Sequence, residues 1–216
     1  MITAAEVQTA AAASSTRDVM QTVAHELRQP LSAMESTAYY LGLVLPRTDE
    51  RAHAQVSRLR QMVDQLNWIL SCGLQVADDR PPSPERIDLE EFVTQAVASA
   101  TPSTAPRPVL ALAGDLPPVL LDPGRGRALM ANLLSLFQQI ADGQYRIQIQ
   151  TLREPSEVAL SISVDTPGLA SEAVLGPGSA LCLDGVRRTV YAHEGTVALR
   201  VDPVDGVRLR ITLPIT

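Results

Sequence analysis

From Met20 onward, apolar residues recur at Met20, Val23, Leu27, Leu31, Met34, Ala38, Leu41 and Leu45, intervals of three and four that lay them along one seam of a long helix. The stretch Leu45-Pro46-Arg47-Thr48-Asp49-Glu50 interrupts it, because proline cannot continue the backbone ladder and Thr48 or Asp49 can cap a new helix with acid in its first turn. A second seam follows at Val56, Leu59, Val63, Leu66, Leu70 and Gly73. The pattern predicts a hairpin of two long helices. An isolated pair leaves much of each stripe wet, so the expectation is pairing with a second copy into a homodimeric four-helix bundle. The alternative is an ordinary hairpin packed on its own C-terminal domain.

Near residue 80 the composition changes to Ala77-Asp78-Asp79-Arg80-Pro81-Pro82-Ser83-Pro84, whose prolines end the second helix and stiffen a connector. The expected division is therefore 1–80, the hairpin, and 81–216, a second domain. There the pattern is mixed. It predicts a short extended piece at Ile87 to Leu89 and helices at Leu89 to Ala100, Arg127 to Ile140 and Leu181 to Ala192. Strands are expected at Val109 to Leu112, Val119 to Leu121, Tyr145 to Leu152, Val158 to Val164, Thr196 to Val201 and Val207 to Leu213, the last two turning at Asp205-Gly206. The fold class is α+β: a long helical hairpin, then an α/β sandwich with helices on one sheet face.

The chain has 216 residues, 45% hydrophobic and 19% charged, enough for a real core. All 18 basic residues are arginine. Without lysine there is no Walker-type phosphate loop, no strand lysine of a protein-kinase fold and no Schiff-base amine. A net charge of -6 without a basic cluster in the sequence argues against nucleic acid or an anionic membrane as partner. Cys72 and Cys182 lack metal-ligand spacing and read as small buried apolar residues, so no metal is implied. The N-terminal stretch has no basic front or sustained apolar run, and no segment approaches the roughly 20 apolar residues of a membrane span, so the expectation is a soluble, cytoplasmic protein.

The most informative segment is His25-Glu26-Leu27-Arg28-Gln29-Pro30-Leu31. His25 falls beside the seam and should project from its rim toward solvent, with Gln29 one turn on, at the i,i+4 position. Pro30 removes a backbone donor and should bend the helix next to His25. A neutral imidazole beside a carboxylate can attack phosphorus through one nitrogen while the acid holds or takes the proton on the other. By itself a His-Glu pair also reads as an ordinary surface histidine.

The full string resembles the phosphoacceptor box of the histidine kinases of two-component signalling. That resemblance implies that residues 17–78 form a dimerisation and phosphotransfer domain. It also implies His25 as phosphoacceptor, Glu26 as acid/base partner and Gln29 as the residue that orients water for dephosphorylation of a receiver domain.

The second half is similar to the family's ATP-binding domain, with departures. Gly178-Ser179-Ala180-Leu181-Cys182-Leu183 aligns with the later glycine box, its second and third glycines being Ala180 and Cys182. Side chains at those points obstruct a backbone phosphate cradle. The helix around Asn132 looks like the asparagine box, Asn132 matching its first asparagine, but the metal-coordinating asparagine falls on Leu136 and the customary basic residue on Gln139. Leucine offers no lone pair to magnesium. Asp165 and Gly168 are what survives of the earlier glycine box, and only nine residues separate Gly168 from Gly178, where active members carry a longer lid. Asp165, Gly168 and Gly178 are thus the residues of a degenerate nucleotide site.

The expected function is a phosphorelay protein that carries phosphate on His25 and exchanges it with the aspartate of a response-regulator receiver domain, its nucleotide binding impaired and no cofactor required. One alternative is a divergent but active soluble histidine kinase, which alone would bring in ATP and magnesium; another is a non-enzymatic regulatory pseudokinase. His53 and His193 read as structural, Trp68 as packing, Asp122-Pro123-Gly124 as a turn before a helix, and Arg125 and Arg127 as solvated, with a phosphate contact as the alternative.

Overall fold

The computed structural model describes residues 4–101, 106–166, 175–176 and 178–215, with side chains described from residue 17 onward. The chain divides into two compact units, Met1–Asp79 and Arg80–Thr216.

The first unit is an antiparallel pair of helices, α1 (Ala4–Val44) and α2 (Glu50–Ala77). α1 begins well before the first seam residue because the alanine-rich run ahead of it has high intrinsic helix propensity. It continues through Pro30, whose missing N–H leaves the Glu26 carbonyl without its i+4 donor. Asp49 is the cap of α2, its carboxylate accepting from the Ala52 N–H at 3.0 Å. The buried seam runs at seven-residue intervals: Ala24, Leu31 and Ala38 face Val56 and Val63. Small residues on α1 let α2 approach closely, and the Arg60 guanidinium reaches across to the Ala38 carbonyl at 3.2 Å. At the far end Arg17 and Asp78 form an ion pair at 3.8 Å.

Only part of each expected seam is buried within this pair. Val19, Val23, Leu27 and Met34 on α1, and Met62 and Leu66 on α2, remain exposed. They form a flanking apolar stripe, since a broad apolar face has more width than one neighbouring helix covers.

The second unit holds β1 (Glu85–Ile87), α3 (Leu89–Ala100), β2 (Val109–Ala111), β3 (Val119–Leu121), α4 (Pro123–Ala141), β4 (Ile147–Arg153), β5 (Glu157–Val164), α5 (Ser179–Tyr191), β6 (Thr196–Asp202) and β7 (Gly206–Pro214). β1 and β3 pair as a small antiparallel sheet; the main sheet has the order β2-β4-β5-β7-β6. β2 runs parallel to β4, a pairing that local alternation cannot reveal, and the remaining neighbours are antiparallel.

Strand alternation sorts the main sheet into two faces. Ile147, Ile149, Val158, Leu160, Ile162, Val164, Val207, Leu209, Ile211 and Leu213 form the buried inner face. On it pack Leu89 and Val93 of α3, Leu129, Met130, Leu133 and Phe137 of α4, and Val186 and Val190 of α5. An apolar cavity of about 20 Å³ between Phe92, Met130, Leu160, Val190 and Ile211 is room for one water at most. The β6–β7 turn requires Gly206, which has φ +79 and whose hypothetical Cβ would lie 2.2 Å from the Val164 carbonyl oxygen. Among the described residues no helix is long and apolar enough to cross a membrane.

Candidate functional site

His25 stands exposed on α1, one position after the buried Ala24, so the seam anchors the backbone while the ring faces water. Gln29 follows one turn later, and its Nε2 lies 3.5 Å from His25 Nε2. With the amide as donor, His25 Nε2 carries the lone pair and the ring proton sits on Nδ1. Glu26 is exposed beside them. The structure thus brings His25 and Gln29 together, adjacent to the proline that interrupts the helical ladder.

Farther along α1, on the side of the helix that carries His25, a polar groove of about 460 Å³ opens between the two helices, lined by Glu35, Ser36, Tyr39, Arg60 and Asp64. Ser36 and Tyr39 follow His25 at i+11 and i+14, and that spacing is the signal by which the sequence could have shown it. The Arg60 guanidinium stacks over the Tyr39 ring, 5.8 Å from its centroid. Partial burial and the Glu35 carboxylate raise the pKa of Asp64 above its ordinary value, against the pull of Arg60.

In the second unit Gly178 caps α5 with φ +85 and offers no side-chain acceptor. Ala180, the second residue of the helix, is exposed, and Cys182 is fully buried, its Sγ 3.6 Å from the Asn132 carbonyl oxygen of α4. Leu136, at the position of the expected metal ligand, is also fully buried, and Gln139 is exposed. Asn132 is buried, as a structural residue of α4. Asp165 is exposed immediately after β5; Gly168 lies outside the described residues. Among the described residues no three His, Cys, Asp or Glu side chains converge as a metal site.

The remaining singled-out residues resolve clearly. Cys72, Cys182 and Trp68 are core residues. His53 has a buried Nε2 without a hydrogen-bond partner among the described residues, and His193 is buried with both ring nitrogens engaged. Asp122 is the N-cap of α4, accepting from the Gly124 and Arg125 N–H groups at 2.9 and 3.0 Å. Arg125 corrects an expectation: its side chain is not solvated but folds back on the Arg80 carbonyl and Asp122, whereas Arg127 is exposed. The cap draws Arg125 in, because the carboxylate at the helix start sits within its reach.

An exposed histidine on a helical hairpin, followed in the chain by a sandwich whose glycine-capped helix packs on an asparagine-bearing one, defines a hairpin-plus-sandwich class of fold. No family model matches the chain. It is 27% identical over 209 residues to the sensor histidine kinase ZraS of Klebsiella oxytoca, covering 89% of this chain and 45% of that protein. It is 25% identical over 230 residues to the sensory histidine kinase/phosphatase NtrB of Rhodobacter capsulatus, covering 94% and 63%. The chain spans about half the length of the curated relatives it matches. Among solved structures, full-length ShkA in complex with AMPPNP superposes with a TM-score of 0.59 at 22% identity, over 91% of this chain and 45% of that one. The histidine kinase ThkA in complex with the response regulator TrrA superposes with 0.56 at 16% identity, over 92% and 61%; both likenesses concern the fold. Along most of its length the chain is similar to sensor histidine kinases of two-component signalling.

Proposed function

We propose that this chain is a histidine phosphotransfer protein built on a histidine-kinase frame, a homodimer whose His25 exchanges a phosphoryl group with the aspartate of a receiver domain. The observation that carries the reading is a contrast. His25 is exposed with Gln29 at its Nε2, while Leu136 and Cys182, where a nucleotide's metal and phosphates would need room, are sealed in the core.

In the forward step the Nε2 lone pair attacks the phosphorus of an aspartyl phosphate. The N–P bond forms as the P–O bond to the aspartate breaks, the carboxylate leaves with its electron pair, and Glu26 accepts the Nδ1 proton. The acyl phosphate already holds the transfer potential, so positioning by the hairpin supplies the rest. The groove at Glu35, Tyr39, Arg60 and Asp64 lies along the same side of α1 and suits the rim of a receiver. The name of ThkA's partner in its solved complex, a response regulator, is in keeping with such docking.

The test is transfer from a phosphorylated receiver. Acid-labile, base-stable label on the wild-type chain, absent from His25→Ala, is the expected result; no label on either protein overturns the reading. A second reading, a divergent active kinase, is favoured by the exposed Asp165, the glycine cap of α5 and the nucleotide analogue named with ShkA. Label from ATP and magnesium that depends on His25 selects it instead.

A further inference from the structure

The outer face of the main sheet is built from short side chains and arginines. In register across it stand Arg200, Arg208, Ser163, Gln148 and Val109 in one row, and Ala198, Arg210, Ser161, Gln150 and Ala111 in the next. Arg200 and Arg208 are directly opposite on neighbouring strands and both exposed, and Arg210 follows on the same face two residues on. Like charges directly opposite across a pair of strands destabilise it, so this arrangement is not explained by the stability of the sheet.

Local acids neutralise it incompletely. Glu154 takes up Arg210. Asp202 reaches Arg200 through Oδ2 at the long distance of 3.5 Å, while its Oδ1 accepts from the Val204 and Asp205 N–H groups at 2.8 and 3.1 Å, and those bonds, with Arg200, hold its pKa below the ordinary value. Arg208 has no carboxylate partner among the described residues, Asp165 and Asp205 included. What remains is a surface of alanine, Ser161 and glutamine, with Ser163 buried beneath its neighbours, beside one unmatched guanidinium and one weakly matched one, on strands about 4.8 Å apart.

We infer that this outer face is a docking surface for an acidic polypeptide, whose carboxylates bridge Arg200 and Arg208. Carboxylates fit the forked guanidinium bidentately, and an extended or helical segment can lie on small side chains without clash. A nucleic acid fits less well: its regularly spaced phosphates need a run of cations, whereas this face offers the unmatched Arg208 and the Asp202-paired Arg200, interleaved with Glu154 and Asp202. The inference does not rest on the phosphoacceptor reading of His25.

The experiment is titration of the full chain with a labelled decapeptide of alternating glutamate and alanine, alongside an oligonucleotide and vesicles of anionic lipid. Saturable peptide binding that weakens with salt and falls about tenfold or more in both Arg208→Glu and the Arg200→Gln/Arg208→Gln double variant is expected. In Arg208→Glu the thermal midpoint should hold or rise, since an opposed like-charged pair becomes an opposite-charged one. Peptide affinity unchanged by both substitutions overturns the inference, as does arginine-dependent binding to the oligonucleotide or the vesicles in preference to the peptide. A fall in the midpoint of Arg208→Glu also counts against it, by showing that the arginine pair serves the fold.

Discussion

His193 Nε2 accepts a hydrogen bond from the backbone N–H of Asp122, 71 residues earlier in the chain, at 2.9 Å. Its Nδ1 lies 2.7 Å from the Thr189 carbonyl, one helical turn back, and with Nε2 accepting, that nitrogen carries the proton. One buried ring thereby ties the end of α5 to the start of α4. Replacing it with alanine strands a buried donor and a buried acceptor and leaves a void. His193→Ala should cost about 2–4 kcal/mol of unfolding free energy, read as a lower urea midpoint at unchanged slope. A loss within error would show that water or a neighbour takes over both bonds.

Asp122 works from the other side of that contact. Desolvation opposes its ionisation, but the N–H groups of Ser83, Arg125 and Gly124 and the Arg125 charge outweigh it, and the carboxyl titrates below its ordinary value. A carboxylate with a depressed folded-state pKa contributes stability above its unfolded pKa, near 4, and loses it as the pH falls through the folded value. Asp122→Asn should therefore lower stability at pH 7 by about 1 kcal/mol and narrow the gap between stabilities at pH 7 and pH 3. An unaltered gap, followed by denaturant titration at both pH values, would exclude this cap from the acid response.

Periodicity made the hairpin legible, because apolar residues at intervals of three and four, Leu31 and Ala38 among them, mark one side of a helix for burial, although Ala24 is not among the seam residues it picks out. It could not separate the residues that face α2 from Val23, Leu27 and Met34, which share the apolar pattern but stay exposed. The His25–Gln29 pairing was readable for the same reason, being an i,i+4 relation inside one helix. The arginine cluster was not. Arg200 lies eight residues from Arg208, and a linear scan for basic runs passes over them; only the β6–β7 register sets them opposite. Likewise the role of His193 depends on a contact that no local pattern encodes.

Leu136 tests the proposal that nucleotide binding is impaired in this chain. Asparagine there would bury an amide where leucine is now 1% exposed, costing roughly 2–5 kcal/mol in stability. Cys182 would still occupy the contact with the Asn132 carbonyl. Leu136→Asn should therefore be less stable than wild type and give no more heat than wild type on calorimetric titration with ATP and magnesium. Tight binding acquired by this single change would show that the pocket is otherwise intact.

The exposed stripe of Val19, Val23, Leu27, Met34, Met62 and Leu66 decides the oligomeric state. In an isolated hairpin, Leu27→Asp is a surface change and should leave the far-ultraviolet spectrum as it is. In a two-fold bundle every interface residue occurs twice, so one substitution removes two apolar contacts and installs two carboxylates in a closed seam. At about 1.5–3 kcal/mol for each buried leucine, the loss is roughly 3–6 kcal/mol before any desolvation of charge, enough to dissociate a micromolar dimer. Sedimentation should give twice the chain mass for wild type and a single chain mass for Leu27→Asp. A monomeric wild type with the stripe fully solvated would refute the bundle, and with it the paired-hairpin form of the phosphotransfer proposal.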